Sequence, residues 1–285
     1  MAADLLLGQP VADQIKAELA EALATFKREY GITPQLAIVQ VGEDPAATAY
    51  VKRIGKAFAG AEMLSTLHQL PIDISEADFK GALLGLDRDE RIHGIIVQMP
   101  LPPHLNQEMV TSIISPTKDV DGIHPYNAGM LALGRSTFVP ATPMGGLEIL
   151  KRSGINLKGK EAVIVGRSNI VGKPMFFLLL QEHATVTVCH SRTRDLGEVT
   201  RRADVLIAAI GKARMITADM VKPGAVVVDF GINVVDGKVV GDVDFEAVKE
   251  VASAITPVPG GTGPTTNAVL LRNTFEAAKR QVTQP

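Results

Sequence analysis

At 285 residues, 46% of them apolar, the chain carries enough hydrophobic material for two modest cores. Its 29 basic and 31 acidic residues leave a net charge of −2, which argues against nucleic acid or an anionic membrane surface as the main partner. A single cysteine, Cys189, excludes an internal disulfide and a thiolate-rich zinc site, so no metal is expected and a reducing, cytoplasmic compartment fits. The apolar stretch in MAADLLLGQP is too short for a signal peptide and lacks a basic lead, and no segment reaches membrane-spanning length.

The first half alternates helix and strand. Apolar spacing predicts a helix from Val11 to Tyr30, a strand from Gln35 to Val41, a helix from Ala46 to Ala59 and a strand from Met63 to Leu70. A helix from Glu76 to Leu86 and a strand from His93 to Met99 complete a parallel α/β sheet. Between Pro116 and Pro143 the texture turns to proline, glycine and polar residues, which reads as a connection between two domains lining a cleft. Such a cleft is the default ligand site.

The second half opens on a strand from Glu161 to Val165, the turn VGRSNIVGKP (Val165 to Pro174) and an apolar run from Met175 to Leu180. A strand, a glycine turn and a helix N-terminus together offer free backbone N–H groups and a positive dipole end to an anion such as a dinucleotide pyrophosphate. A phosphate-cradling Walker loop is excluded, because five residues rather than four separate Gly166 from Gly172-Lys173 and Pro174 follows. The G-x-G-x-x-G fingerprint is absent too, which leaves a nonstandard Rossmann turn or an ordinary strand-to-helix turn.

The next strand, Ala184 to His190, ends in Ser191-Arg192-Thr193-Arg194, where an NAD enzyme places a carboxylate against the ribose hydroxyls. No carboxylate stands there. A hydroxyl and guanidinium groups suit the 2'-phosphate of NADP, with Arg167 as a further cation, although a solvated charge run is the plainer reading for Arg194. Asp204 to Gly211 and Ala225 to Ile232 read as buried parallel strands and Asp236-Gly237 as a hairpin turn. A last helix runs from Asn267 to Arg280, after PVPGGTGP, and is expected to pack back on the first half. The expected division is residues 1–139 with 266–285 as a substrate domain and 140–265 as a Rossmann-type nucleotide-binding domain.

Taken together, GEDPAATAY (Gly42 to Tyr50), HGIIVQMPLP (His93 to Pro102), KDVDG (Lys118 to Gly122), ATPMG (Ala141 to Gly145), GRSNIVGKP, ADVLIAAIGK (Ala203 to Lys212) and ITPVPGGTGPTTN (Ile255 to Asn267) resemble the tetrahydrofolate dehydrogenase/cyclohydrolase family, bacterial bifunctional type. The resemblance covers essentially the whole chain. It implies NADP-linked oxidation of 5,10-methylenetetrahydrofolate to 5,10-methenyltetrahydrofolate, hydrolysis to 10-formyltetrahydrofolate in bifunctional members, and a homodimer.

Carried over by position, the resemblance makes Asp121 a carboxylate gripping the amidine-like edge of the pterin; a turn residue before Gly122 is the other reading. It lays Tyr50 along the aromatic ring of the folate and gives Gln98 the catalytic-site glutamine position. Gly260 and Gly261 match the segment where backbone approaches folate and nicotinamide. Gly166, Arg167, Ser168, Ser191, Arg192 and Ile232 match cofactor contacts.

One departure bears on the chemistry. The family places a lysine four residues after the tyrosine, and here that position is Ile54. Cyclohydrolysis adds water to a cationic carbon and moves protons as the ring opens, which calls for a titratable group that isoleucine cannot supply. Lys52 and Lys56 point away from the face shared by Tyr50 and Ile54. Ala47, Ala141, Thr265 and Asn267 are lesser departures. Hydride transfer needs mainly orientation of two bound reactants. The sequence therefore reads as an NADP-dependent methylenetetrahydrofolate dehydrogenase with weak or absent cyclohydrolase activity; a fully bifunctional enzyme and a folate- or nucleotide-binding protein without turnover are the alternatives.

Overall fold

The computed structural model describes residues 2–283, apart from the side chains at positions 45 and 46. In chain order the elements are β1 (Asp4–Leu5), α1 (Gly8–Tyr30), β2 (Gln35–Val41), α2 (Pro45–Gly60), β3 (Leu64–Leu70), α3 (Glu76–Arg88), β4 (Gly94–Val97), α4 (Gln107–Ile113), α5 (Pro125–Ala132) and α6 (Ala141–Arg152). They continue with β5 (Glu161–Val165), α7 (Gly172–Gln181), β6 (Thr185–Cys189), α8 (Leu196–Thr200), β7 (Val205–Ala208), β8 (Val226–Asp229), β9 (Asn233–Val235), β10 (Lys238–Val240), α9 (Phe245–Lys249), β11 (Ala254–Ile255) and α10 (Thr262–Thr283).

Two compact units divide the chain. One comprises Gln14–Met130, Ser136–Ala141 and Asn267–Pro285. Its sheet has the order β3-β2-β4, all parallel, with Val39 opposite both His68 and Val97. Every β4 residue is buried, as expected of a parallel strand covered on both faces. Phe79 and Leu83 of α3 pack there with Ala37, Val39, Ile95, Val97 and Val110. The segment Lys118 to Val120 runs beside β4: Ile95 N–H donates to the Lys118 carbonyl at 2.8 Å, and Ile95 and Asp119 form an isolated parallel bridge.

The other unit comprises Met1–Asp13, Leu131–Arg135 and Thr142–Thr266. Its six-stranded sheet runs β1-β11-β8-β7-β5-β6, with every pair parallel. The apolar strand runs explain it: β5, β7 and β8 are buried along almost their whole length, and Val163, Leu206, Val227 and Ile255 fill one core. β6 lies on one side of β5 and β7 on the other, so the chain reverses direction across the sheet at β5. In an open parallel sheet the crevice at the carboxyl ends of the strands flanking such a reversal is where dinucleotides bind. Here the flanking strands are β5 and β7.

The first thirteen residues group with the nucleotide-type unit, because β1 pairs in parallel with β11, Asp4 opposite Ala254 and Leu5 opposite Ile255. Strands of two residues leave no periodicity in the sequence. The stretch read as a connection, Pro116 to Pro143, also holds α5 and the start of α6; Pro143 sits in the first turn of α6, where its missing N–H costs nothing.

Candidate functional site

α2 leaves the carboxyl end of β2, and the Asp44 side chain caps it by accepting the Ala47 N–H at 2.7 Å. Tyr50 lies on the border between its buried and exposed faces. Val51, Ile54 and Phe58 form the buried stripe, at the three- and four-residue spacing of a helix face turned to a core. Ile54 is 0% exposed. Lys52 and Lys56 are exposed, on the far side from Ile54, as the helical angles require. Arg53, one turn from Tyr50, holds its guanidinium carbon 5.9 Å from the tyrosine ring centre. This cation was missed in the sequence reading, although its i+3 spacing from Tyr50 is the signal that finds it.

Gln98 follows β4 directly, its N–H bound to the Val39 carbonyl at 2.8 Å, and the cis peptide Met99–Pro100 comes next. Because β2 and β4 are parallel neighbours, Gln98 and α2 leave the same edge of the sheet. Asp121 reaches that edge through the KDVDG segment. Lys118 is an internal tie, its Nζ donating to the Asp89 carbonyl at 2.7 Å. Asp119 is the loop anchor: it accepts from Ile123 N–H, His124 N–H and Asn127 Nδ2 at 3.2, 2.8 and 2.8 Å. Gly122 adopts φ +64°, and a Cβ there would meet the Phe138 carbonyl oxygen at 2.6 Å, so the turn after Asp121 requires glycine.

Asp121 lines a small cavity with Ile96, Ile114 and Ile123. Burial, and then the neighbouring Asp119 charge, push its carboxyl up to about 7. Burial and the Asp121 carboxylate likewise push the Tyr50 hydroxyl above its ordinary value, while Arg53 pulls it the other way. Tyr50, Arg53 and Asp121 therefore share one electrostatic site. A poorly solvated carboxylate without committed donors among the described residues is suited to a ligand that brings paired N–H groups.

In the second unit, Gly166 follows β5 with φ +137°, and a Cβ would run into the Ala209 carbonyl at the exit of β7. Gly172 opens α7 where a Cβ would strike the Gly166 carbonyl. Both glycines are demanded by close backbone approach. Ser168 Oγ accepts from the N–H groups of Val171 and Gly172 at 3.1 and 3.3 Å, closing the turn and leaving its own proton to donate. Val165 lies opposite Cys189, so the exits of β5 and β6 are side by side, with Ser191 and Arg192 exposed there. Among the described residues neither Arg167 nor Arg192 has a carboxylate partner. Ile232, just past β8, is 72% exposed. Glycine-lined turns, unpaired guanidinium groups and an exposed apolar side chain along one sheet edge fit an NADP-type dinucleotide.

Gly260 and Gly261 have a structural reason of their own. The Gly8 N–H donates to the Gly260 carbonyl at 2.9 Å, and a Cβ on Gly261 would meet the Pro257 carbonyl at 2.6 Å.

The family models for the tetrahydrofolate dehydrogenase/cyclohydrolase catalytic domain and NAD(P)-binding domain match residues 6–121 and 140–282. The chain belongs to that family. A bifunctional protein FolD from Roseiflexus castenholzii is 52% identical over 99% of this chain and 98% of its own length. The crystal structure of the bifunctional FolD of Campylobacter jejuni superposes with a TM-score of 0.95 at 46% identity, covering 98% of this chain and 99% of the other. The Trypanosoma brucei methylenetetrahydrofolate dehydrogenase-cyclohydrolase, solved with NADP and an inhibitor, gives 0.94 at 36% identity, covering 99% of both chains. The α/β fold with a Rossmann-type half is thus shared with the family's solved members. No helix among the described residues is long and apolar enough to cross a membrane.

Proposed function

We infer that the protein oxidises 5,10-methylenetetrahydrofolate to 5,10-methenyltetrahydrofolate with NADP, and that its cyclohydrolase step is weak or absent. Similarity over nearly the full length of a bifunctional FolD supports the first part. In this reading the Asp121 carboxylate accepts the paired N–H groups of the pterin edge and Tyr50 lies along the folate ring, orienting the reacting carbon. Gln98 completes the substrate edge. The glycine turn at Gly166 and Ser168 receives the pyrophosphate, Ser191 with Arg192 and Arg167 receives the 2'-phosphate, and Ile232 flanks the nicotinamide. Gly260 and Gly261 give backbone access to both ligands. Bound NADP would supply the hydride acceptor.

The second part rests on one observation: the family lysine position is Ile54, fully buried between Val51 and Phe58. No proton can be held or moved there. The bifunctional reading is favoured by the similarity to bifunctional relatives, and the cation that lies against Tyr50 is Arg53, a guanidinium rather than an amine. A two-part assay separates the readings: NADPH formation from methylenetetrahydrofolate, then the decay of added methenyltetrahydrofolate against buffer. Rapid decay supports the bifunctional enzyme, and absence of NADPH formation refutes the dehydrogenase.

In the same reading the protein works in the cytoplasm as a homodimer. β3 is an outer strand of its sheet, and Leu64 and Leu67 on it and Ile72 just past it are about half exposed or more, which supports pairing with a second copy. Sedimentation equilibrium measures this directly.

A further inference from the structure

We propose that Asp242 is a positioning residue for the nicotinamide half of the cofactor, a role that rests on the NADP reading above. Asp242 is 0% exposed and makes no ion pair among the described residues. Its carboxylate instead collects four N–H donors. Oδ2 accepts from Ile210 and Gly211 N–H at 2.5 and 2.9 Å, and Oδ1 from Lys212 N–H and Asn233 Nδ2, both at 2.9 Å.

These donors belong to two different loops. Ile210 to Lys212 is the exit turn of β7, and Asn233, the first residue of β9, directly follows Ile232 at the end of the β8 exit. The β7 exit forms one lip of the reversal crevice, since Ala209 abuts Gly166 on the other lip. One buried carboxylate therefore fixes the spacing between the lip opposite the phosphate turn and the loop that carries Ile232. The backbone reinforces the hold further along: Arg214 N–H donates to the Gly241 carbonyl at 3.1 Å and Ile216 N–H to the Asp242 carbonyl at 3.0 Å.

Asp242 is itself held in place. Asp229, at the end of β8, accepts from the N–H groups of Gly231, Asp242 and Val243 at 2.7, 3.0 and 2.9 Å. The Asp242 side chain and backbone fill the space a Cβ on Gly231 would need, and the Asp229 carboxylate fills the space beside Gly241. The two glycines make room for the two carboxylates.

A dinucleotide spanning the crevice places its adenosine over β5 and β6 and its nicotinamide over β7 and β8. Loss of the Asp242 tie is therefore expected to loosen one half only. The Asp242→Asn side chain turns an NH2 group toward backbone donors, removing charge-assisted bonds.

Isothermal titration of the folded wild type and Asp242→Asn with NADP and with adenosine 2',5'-bisphosphate tests this. The variant is expected to bind NADP about tenfold or more weakly, as loss of one such bond predicts, and the adenosine fragment within about twofold of the wild type. Asn233→Ala, which removes one donor and leaves the carboxylate, is expected to shift NADP in the same direction by less; it decides the matter if Asp242→Asn does not fold. Unchanged NADP affinity, or equal weakening of both ligands, overturns the positioning role. A wild type that fails to bind NADP overturns the cofactor reading instead.

Discussion

If the Asp121 carboxylate grips the pterin as proposed, its carboxyl, held up to about 7, is expected to make folate recognition sensitive to pH within the physiological range. Only the ionised carboxylate accepts from both N–H groups of a pterin edge; the protonated acid offers a hydroxyl where a donor arrives. Because burial raises this acid, the carboxylate form is lost as pH falls through about 7. A single titration near 7 leaves roughly one-tenth of the free protein competent at pH 6 and about nine-tenths at pH 8. The expected result is a rise of about tenfold in kcat/KM for methylenetetrahydrofolate between those values, since kcat/KM reports the free enzyme. Bound pterin N–H groups stabilise the charged form, so kcat at saturating folate is expected to level off at lower pH. Initial rates of NADPH formation, at saturating NADP and constant ionic strength, measure both. A flat kcat/KM from pH 6 to 8, or the same inflection in Asp121→Asn, would refute the reasoning.

Three further outcomes are expected. Asp121→Ala leaves a folded protein, checked by circular dichroism, whose dehydrogenase turnover falls by about 100-fold or more because the reacting carbon is no longer placed; near-normal turnover would make Asp121 a turn residue only. Arg192→Ala and Arg167→Ala each weaken NADP binding by about tenfold to 100-fold, from the roughly 1.5 to 3 kcal/mol of a charge-assisted phosphate contact, and leave NAD binding unchanged; equal use of NAD and NADP by the wild type would end this reading. Ile54→Lys lowers the melting temperature, because an ammonium replaces a fully buried isoleucine, yet restores part of the roughly 100-fold to 10,000-fold that a general acid or base contributes to methenyltetrahydrofolate hydrolysis; rapid hydrolysis by the wild type contradicts it.

Much of the fold could be read from the residues because its parallel strands are buried apolar runs: QLAIVQV and EAVIV form strands at the bounds their composition implies. β1 and β11 escaped, since two-residue strands carry no period, and their pairing is why the start of the chain groups with the second unit. The positions of Tyr50, Asp121, Gly166 and Ile54 followed from motifs. The environment of Asp121 did not: the cavity residues Ile96, Ile114 and Ile123 that help to desolvate it come from three separate segments. Asp229 and Asp242 were invisible for a related reason. All their partners but the Asn233 amide are backbone N–H groups, as far as 32 residues away, and such bonds select no side-chain pattern.

On the reading proposed above, the geometry accounts for a loss of one activity without the other. The face of α2 that carries Tyr50 divides into a buried side, where Ile54 lies, and an exposed side, where Arg53 lies. A lysine at position 54 would have to extend its amine out of the apolar stripe, and burial of its stem would lower its pKa toward the range useful for proton transfer. Isoleucine keeps the packing of that stripe and removes the proton carrier. Asp121 and its loop anchor Asp119 depend on the segment beside β4, and the glycine turns depend on β5 and β7, so neither is touched by the exchange. Orientation is preserved where hydride transfer needs it. What this reading lacks is an amine at position 54, and the neighbouring Arg53 offers a guanidinium, a group suited to attracting an anion rather than to acting as a base.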